Sequence, residues 1–122
     1  MKHLNKHIGN MGEALSIKYL KENGYIILEE NFSCFIGEID IIAFHGKYLC
    51  FIEVKTRYNH NFGFPCESIT FSKKRKIIKT AQYYICQKNL HKFFCRFDAL
   101  EVIFLPQCNL PQLNLIKNAF IS

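Results

Sequence analysis

The stretch from Gly37 to Arg57, GEIDIIAFHGKYLCFIEVKTR, decides how the chain is read. Two runs rich in Ile, Phe, Val and Tyr flank His45-Gly46-Lys47, the pattern of a β-hairpin. A two-residue loop with Gly46 first exploits glycine's tolerance of positive φ and sets His45 opposite Tyr48. Pairing back along the arms puts Phe44 opposite Leu49, Ile42 opposite Phe51, Asp40 opposite Glu53 and Glu38 opposite Lys55. Side chains alternate along a strand, so these last four pairs share one face. Ile39, Ile41, Ala43, Cys50, Ile52 and Val54 fall on the other.

Near the turn both faces are apolar, as in a strand pair buried on two sides. At the open end one face becomes Glu38, Asp40, Glu53 and Lys55. Directly opposed carboxylates lie about 5 Å apart and repel. They are tolerated beside a cation, a shared proton or a lysine. Two readings follow. Either this end of the hairpin protrudes into water and its charges are solvated, or Asp40 and Glu53 hold a divalent metal with Lys55 beside it. The apolar runs on both faces favour the second.

Of the 122 residues, 49% are hydrophobic, enough for one globular domain, residues 1–122, with its own core. The longest apolar runs are far short of a membrane span, so no membrane partner is expected. MKHLNKHIGNMGEAL lacks the apolar centre of a signal peptide. The six cysteines, at 34, 50, 66, 86, 95 and 108, include no C-x-x-C pair and no zinc spacing. Cys50 and Cys86 lie in apolar stretches, where a thiol packs as a small hydrophobe. Reduced, structural cysteines fit a cytoplasmic location. The net charge of +6 is uneven: residues 1–70 carry seven Lys/Arg against eight Asp/Glu, and residues 71–122 carry nine against two. That asymmetry points to a polyanionic partner, nucleic acid before an acidic membrane surface.

Residues 4–23 have helical periodicity, with Leu4, Ile8, Met11, Leu15 and Tyr19 in one stripe and Gly24 as the stop. Gly9 and Gly12 weaken the first turns. Glu13 lies on a second face with Ile17 and Leu20, either as an exposed helix glutamate or as a third carboxylate aimed at Asp40 and Glu53. Tyr25–Phe32 is a strand, making a three-stranded meander with the hairpin. Residues 56–71 are a loop by their Asn, Gly and Pro content. Its Tyr58, Phe62 and Phe64 are interleaved with Arg57 and His60, to stack on bases or to tuck onto the domain. A second helix spans 73–88 with Ser72 as N-cap and Ile77, Ile78, Ala81, Tyr84 and Ile85 buried. Lys73, Lys74, Arg75, Lys76 and Lys79 crowd its start, where cations oppose the helix dipole. They are either a solvated basic face or a phosphate dock. Phe97–Leu105 is a fourth strand, and 112–121 is open between a short strand and a helical turn.

The order helix, three strands, helix, strand gives an α/β sandwich around a mixed sheet. An Asp, a Glu about a dozen residues on and a Lys two residues later suit metal-dependent phosphodiester chemistry. Asp40 and Glu53 are hard oxygen ligands for Mg²⁺ or Mn²⁺, the Val54 carbonyl can add a ligand, and Lys55 can stabilise charge developing in the transition state.

Gly37-Glu38-Ile39-Asp40-Ile41-Ile42-Ala43 and Phe51-Ile52-Glu53-Val54-Lys55-Thr56-Arg57 resemble the signature of the YraN family. These small bacterial proteins are similar to Holliday-junction resolvases and to the restriction-endonuclease-like, or PD-(D/E)xK, superfamily. The resemblance extends to Gly12-Glu13-Ala14, Tyr19-Leu20, Gly24-Tyr25, Phe62-Gly63, the Lys73–Tyr84 segment and Arg96-Phe97-Asp98. It implies a restriction-endonuclease-like three-layer sandwich, a mixed sheet with flanking helices in the order α-β-β-β-α-β and a short C-terminal element. It also implies a metal-dependent nuclease for structured or branched DNA before RNA, with Mg²⁺ or Mn²⁺ and a homodimer. By that resemblance Asp40 is the metal aspartate, with Ile39 where the motif has proline. Glu53 and Lys55 supply (D/E)xK, and Glu13 is the first-helix acid. Some branches carry Q-x-x-x-Y in the second helix; here Gln82-Tyr83-Tyr84 departs from it. The basic residues Lys73, Lys74, Arg75, Lys76 and Arg57 are the expected nucleic-acid contacts. The competing readings are a non-catalytic nucleic-acid-binding module and a protein-binding adaptor.

Overall fold

The computed structural model describes residues 2–57, 70–105 and 109–119, with side chains from residue 12 onward. The elements run α1 (Lys2–Glu22), β1 (Tyr25–Ser33), β2 (Glu38–His45), β3 (Tyr48–Arg57), α2 (Phe71–Lys88), β4 (Phe94–Ile103) and β5 (Gln112–Ile116). One five-stranded sheet has the order β1-β2-β3-β4-β5. The first three strands are the expected antiparallel meander, β4 joins β3 in parallel, and β5 returns antiparallel to β4. A parallel neighbour requires a crossover, and α2 lies in that crossover. The C-terminal element is therefore a strand.

The two helices cover opposite faces, giving a three-layer α/β sandwich. On one side Leu20 of α1, flanked by Ile17 and Tyr19, meets Ile41, Ala43, Cys50, Ile52 and Leu100. On the other, Ile77, Ala81 and Tyr84 of α2 meet Ile42, Leu49, Phe51 and Phe97. This is the face division that hairpin alternation predicts. Ile39 is the exception: it joins the α2-side cluster although it is three residues from Ile42, so alternation breaks between them. The β1–β2 register shifts between Ile27↔Ala43 and Glu29↔Ile42, with Leu28 as the extra residue, and Asn31, at φ 55°, stands opposite the break.

In the described part of α1 the deepest positions are not those of the predicted stripe, although Tyr19 packs against the core from its edge. Ser16 and Leu20 are fully buried, whereas Leu15 and Tyr19 sit on the shoulder. The reason is Gly12: a Cβ there would stand 2.9 Å from Thr56 Oγ1, so glycine lets α1 lie close on β3. Leu4, Ile8 and Met11 fall outside the described side chains. The α2 N-cap is Thr70, not Ser72; its Oγ1 accepts from Lys73 N–H at 3.2 Å. The helix thus starts two residues earlier, and Ser72 lies inside it. Its end is a left-handed Asn89, φ 56°. Strand β4 likewise begins three residues before the expected Phe97.

Cys50 is buried as expected, and burial pushes its thiol up to about 12. Cys86 is exposed, with its sulfur 3.5 Å from His91 Nε2, so it is not a core residue. Cys66 and Cys108, and Tyr58, His60, Phe62 and Phe64 of the loop, lie outside the described residues. Among the described residues no helix is long and apolar enough to cross a membrane.

Candidate active site

The hairpin turn follows the predicted register. His45 pairs with Tyr48 across Gly46 at φ 61°, and Phe44↔Leu49 and Ile42↔Phe51 follow. The ladder then stops at Ile41↔Ile52. The expected pairs Asp40↔Glu53 and Glu38↔Lys55 do not form, while β3 stays paired with β4 as far as Arg57↔Ile103. Glu53 to Arg57 therefore lack a β2 ladder on their other edge. Val54 N–H donates instead to Asp40 Oδ2 at 2.7 Å. A charge-assisted bond of this kind is stronger than a neutral one, and it anchors Asp40 across the gap.

The divergence opens a cleft of about 600 Å³. Asp40, Glu53, Val54 and Lys55 form its strand wall, and Lys73 and Lys76 of α2 close it from the other side. Gly37 sets how near α2 comes: a Cβ on it would lie 3.0 Å from Thr80 Oγ1 and 3.9 Å from Lys76 Cβ. Thr80 is fully buried and returns its own hydroxyl to Lys76 O at 2.7 Å.

The electrostatics are those of a desolvated, like-charged pair. Burial first, and then the charge of Asp40, push Glu53 up to about 7, against the pull of Lys55 and Lys73. Burial also raises Asp40, opposed by its Val54 bond and Lys55 and assisted by Glu13 and Glu38. Burial and the neighbouring Lys73 lower Lys55, opposed by Glu53 and Asp40. Lys55 Nζ lies 4.0 Å from Glu53 Oε2. Titratable groups perturbed by burial and by one another in a cleft make it a functional-site candidate.

The remaining predicted residues are distributed as follows. Glu13 lies near enough to act on Asp40, and its Oε2 accepts from Asn31 Nδ2 at 3.4 Å. Among the described residues no set of three or more His, Cys, Asp or Glu converges closely enough to hold a metal, so Glu13 does not complete a three-acid chelate. Lys73 and Lys76 face the cleft; Arg75 lies with Lys79 around a shallower recess beside it, and Lys74 is half-buried outside both. Arg57 Nε sits 4.0 Å from Glu101 Oε2, with both side chains largely buried. The two oxygen-rich carboxylates and the Val54 carbonyl suit Mg²⁺ or Mn²⁺, which take one or two carboxylates and fill the rest with water and substrate oxygens. The repulsion stored in Glu53 is of the sign a cation relieves.

Sequence reasoning missed a second polar cluster on the other, α1-side face of the sheet, where Arg96 and Asp98 of β4 pair with Cys50 and Ile52 of β3. Asp98, fully buried, accepts from Arg96 Nε at 2.9 Å, Tyr25 Oη at 3.1 Å and Asn118 N–H at 2.9 Å. Tyr25 stacks on His45 at 4.2 Å. The cluster ties together β1, β2, β4 and the turn after β5. Its members lie about 70 residues apart along the chain, so only the odd placement of Arg-x-Asp at a strand start could have signalled it.

Sequence comparisons give the family. Residues 12–102 match the family described as "Uncharacterised protein family UPF0102", a segment that takes in Glu13, Asp40, Glu53, Lys55 and the basic start of α2. A UPF0102 protein from Clostridium tetani (strain Massachusetts / E88) is 52% identical over 120 residues. One from Clostridium kluyveri is 49% identical over 120 residues, and one from Clostridium botulinum (strain Kyoto / Type A2) is 53% identical over 121. In each case the match covers 98% of this chain and 98% of the relative. With the family model matched over most of the chain and relatives about 50% identical over 98% of its length, the chain belongs to UPF0102, the YraN family.

Proposed function

We propose that this protein is a divalent-metal-dependent phosphodiesterase acting on nucleic acid, DNA before RNA. One observation carries the reading: two desolvated carboxylates, Asp40 and Glu53, share a cleft with Lys55, and basic residues of α2 stand opposite. A module that only bound phosphates would gain nothing from burying two repelling acids beside its cations.

Asp40 and Glu53, with the Val54 carbonyl, would hold the ion. Bound Mg²⁺ or Mn²⁺ supplies Lewis acidity and charge neutralisation at a phosphate ester. The chain's own groups do the rest. The Val54 N–H fixes the Asp40 carboxylate without reorganisation. Lys55, kept from full solvation, places a donor where negative charge accumulates on the phosphoryl oxygens. Lys73 and Lys76 hold the flanking phosphates and exclude competing orientations.

The test is cleavage of branched, nicked and single-stranded DNA with Mg²⁺ or Mn²⁺ by wild type and Glu53→Ala. Hydrolysis that disappears in the variant is the expected result. Absence of both cleavage and metal binding would leave the second reading, a non-catalytic binding protein. That alternative is favoured by the two-acid site, to which among the described residues no third His, Cys, Asp or Glu converges.

A further inference from the structure

We infer that the strand this cleft receives carries unpaired bases, which stack on Phe35 and Phe71. The inference rests on the nucleic-acid reading above and narrows it to a substrate class.

Phe35 and Phe71 are 85% and 77% exposed, and they lie on either side of the same basic surface. Phe35 is not a loose tip. Its turn is closed by Cys34 N–H donating to Gly37 O at 2.9 Å, and the turn rests on α2 through Gly37. The ring itself stands edge-on against Tyr83 at 5.5 Å and 88°, leaving its other surface to solvent. Phe71 opens α2 and borders the recess of about 300 Å³ that it shares with Ser72, Arg75, Lys76 and Lys79. Lys76 lines both that recess and the acidic cleft. From Phe71 to Tyr83 the helix rises roughly 18 Å, with cations between the two aromatic ends.

A duplex offers such a surface phosphates, sugars and base edges, but not base faces, which are stacked inside. Flat apolar rings add nothing to phosphate contacts. An unpaired strand presents both chemistries at once: phosphates to the lysines and arginine, base faces to the phenylalanines. Single-strand-binding proteins combine the same two elements, a basic track and aromatic platforms. An apolar protein partner would use the rings and leave the intervening cations unanswered.

Binding is measured on the full chain in EDTA, where cleavage does not intervene. The probes are a labelled oligothymidylate, a duplex of the same length and an abasic strand with the same phosphates. The base-bearing single strand should bind at least about 5-fold more tightly than the abasic one, and Phe35→Ala and Phe71→Ala should each remove about that factor. Neither change should alter the salt slope, whereas Lys76→Ala should reduce it by about one. Phe35→Trp should retain affinity, which separates stacking from loss of fold. Equal affinity for abasic and base-bearing strands, a preference for duplex, or alanine variants that bind like wild type would each overturn the inference. So would the absence of any binding. The two proposals fail separately. Glu53-dependent cleavage indifferent to Phe35 and Phe71 retains the phosphodiesterase and ends the stacking role; ring-dependent binding without cleavage does the reverse.

Discussion

Replacing Glu53 with glutamine should stabilise the metal-free protein at pH 8. Glu53 titrates at about 7 in the fold against 4.5 for the unperturbed group. Each pKa unit corresponds to about 1.4 kcal/mol, so ionising this carboxyl in place costs about 3 kcal/mol. An acid raised on folding favours the folded state while it is protonated. That benefit is complete below pH 4.5, declines as pH rises and is lost above about 7. Glutamine keeps the shape and removes the charge. Some of the gain is offset by seating an amide in a cleft shaped for a carboxyl, leaving about 2 kcal/mol at pH 8 and nothing or a slight loss at pH 5. For a chain of this size that is a rise in Tm of roughly 8 °C. Thermal melts across pH 5–9 in EDTA measure it, and the wild-type decline should flatten in the variant. Added Mn²⁺ should then stabilise wild type at pH 8, by about 2.7 kcal/mol at a hundredfold excess over Kd, and the variant far less. A Glu53→Gln protein less stable than wild type at pH 8, with the same pH profile, would show that the carboxylate is solvated and that no strain awaits a cation.

Two further changes probe the framework. Gly12→Ala forces a methyl to 2.9 Å from Thr56 Oγ1 and should cost about 1–3 kcal/mol by overpacking; urea denaturation measures it, and Thr56→Ala in the same chain should restore much of the loss. Asp98→Asn leaves Arg96 with a weakened partner beneath the sheet and should destabilise by about 3 kcal/mol or more, read by the same denaturation, with no change in metal affinity because Asp98, paired with Ile52, lies on the α1 face of the sheet and the acidic cleft on the α2 face.

The hairpin was legible because period-2 alternation and a glycine turn are local properties, and they carried the register from His45↔Tyr48 down to Ile42↔Phe51. They failed where the next interaction was not local. Alternation treats Asp40 and Glu53 as one more rung; in the fold β3 keeps β4 and parts from β2, and the freed Val54 N–H takes the Asp40 carboxylate. At the described end of α1 the depth ranking departed from periodicity for a similar reason. Periodicity ranks Leu15 and Tyr19 by their own hydrophobicity, but the inward face is set by Gly12 meeting Thr56, a contact 44 positions away that no helical window contains. Ser72 stands next to the basic run, but Phe71 and Ser72 are already helical and Thr70 takes the cap.

From its residues alone this chain determines an α/β order, a hairpin with acids and a lysine at one end, and a basic second half. These follow from short-range pattern and charge, which are written in consecutive positions. Only tertiary structure decided that the acids are desolvated together, that Lys73 and Lys76 face them, and that Phe35 is propped in solvent against Tyr83. Those outcomes depend on how closely two helices can approach one sheet, and that distance is set by single glycines whose partners are remote in the sequence.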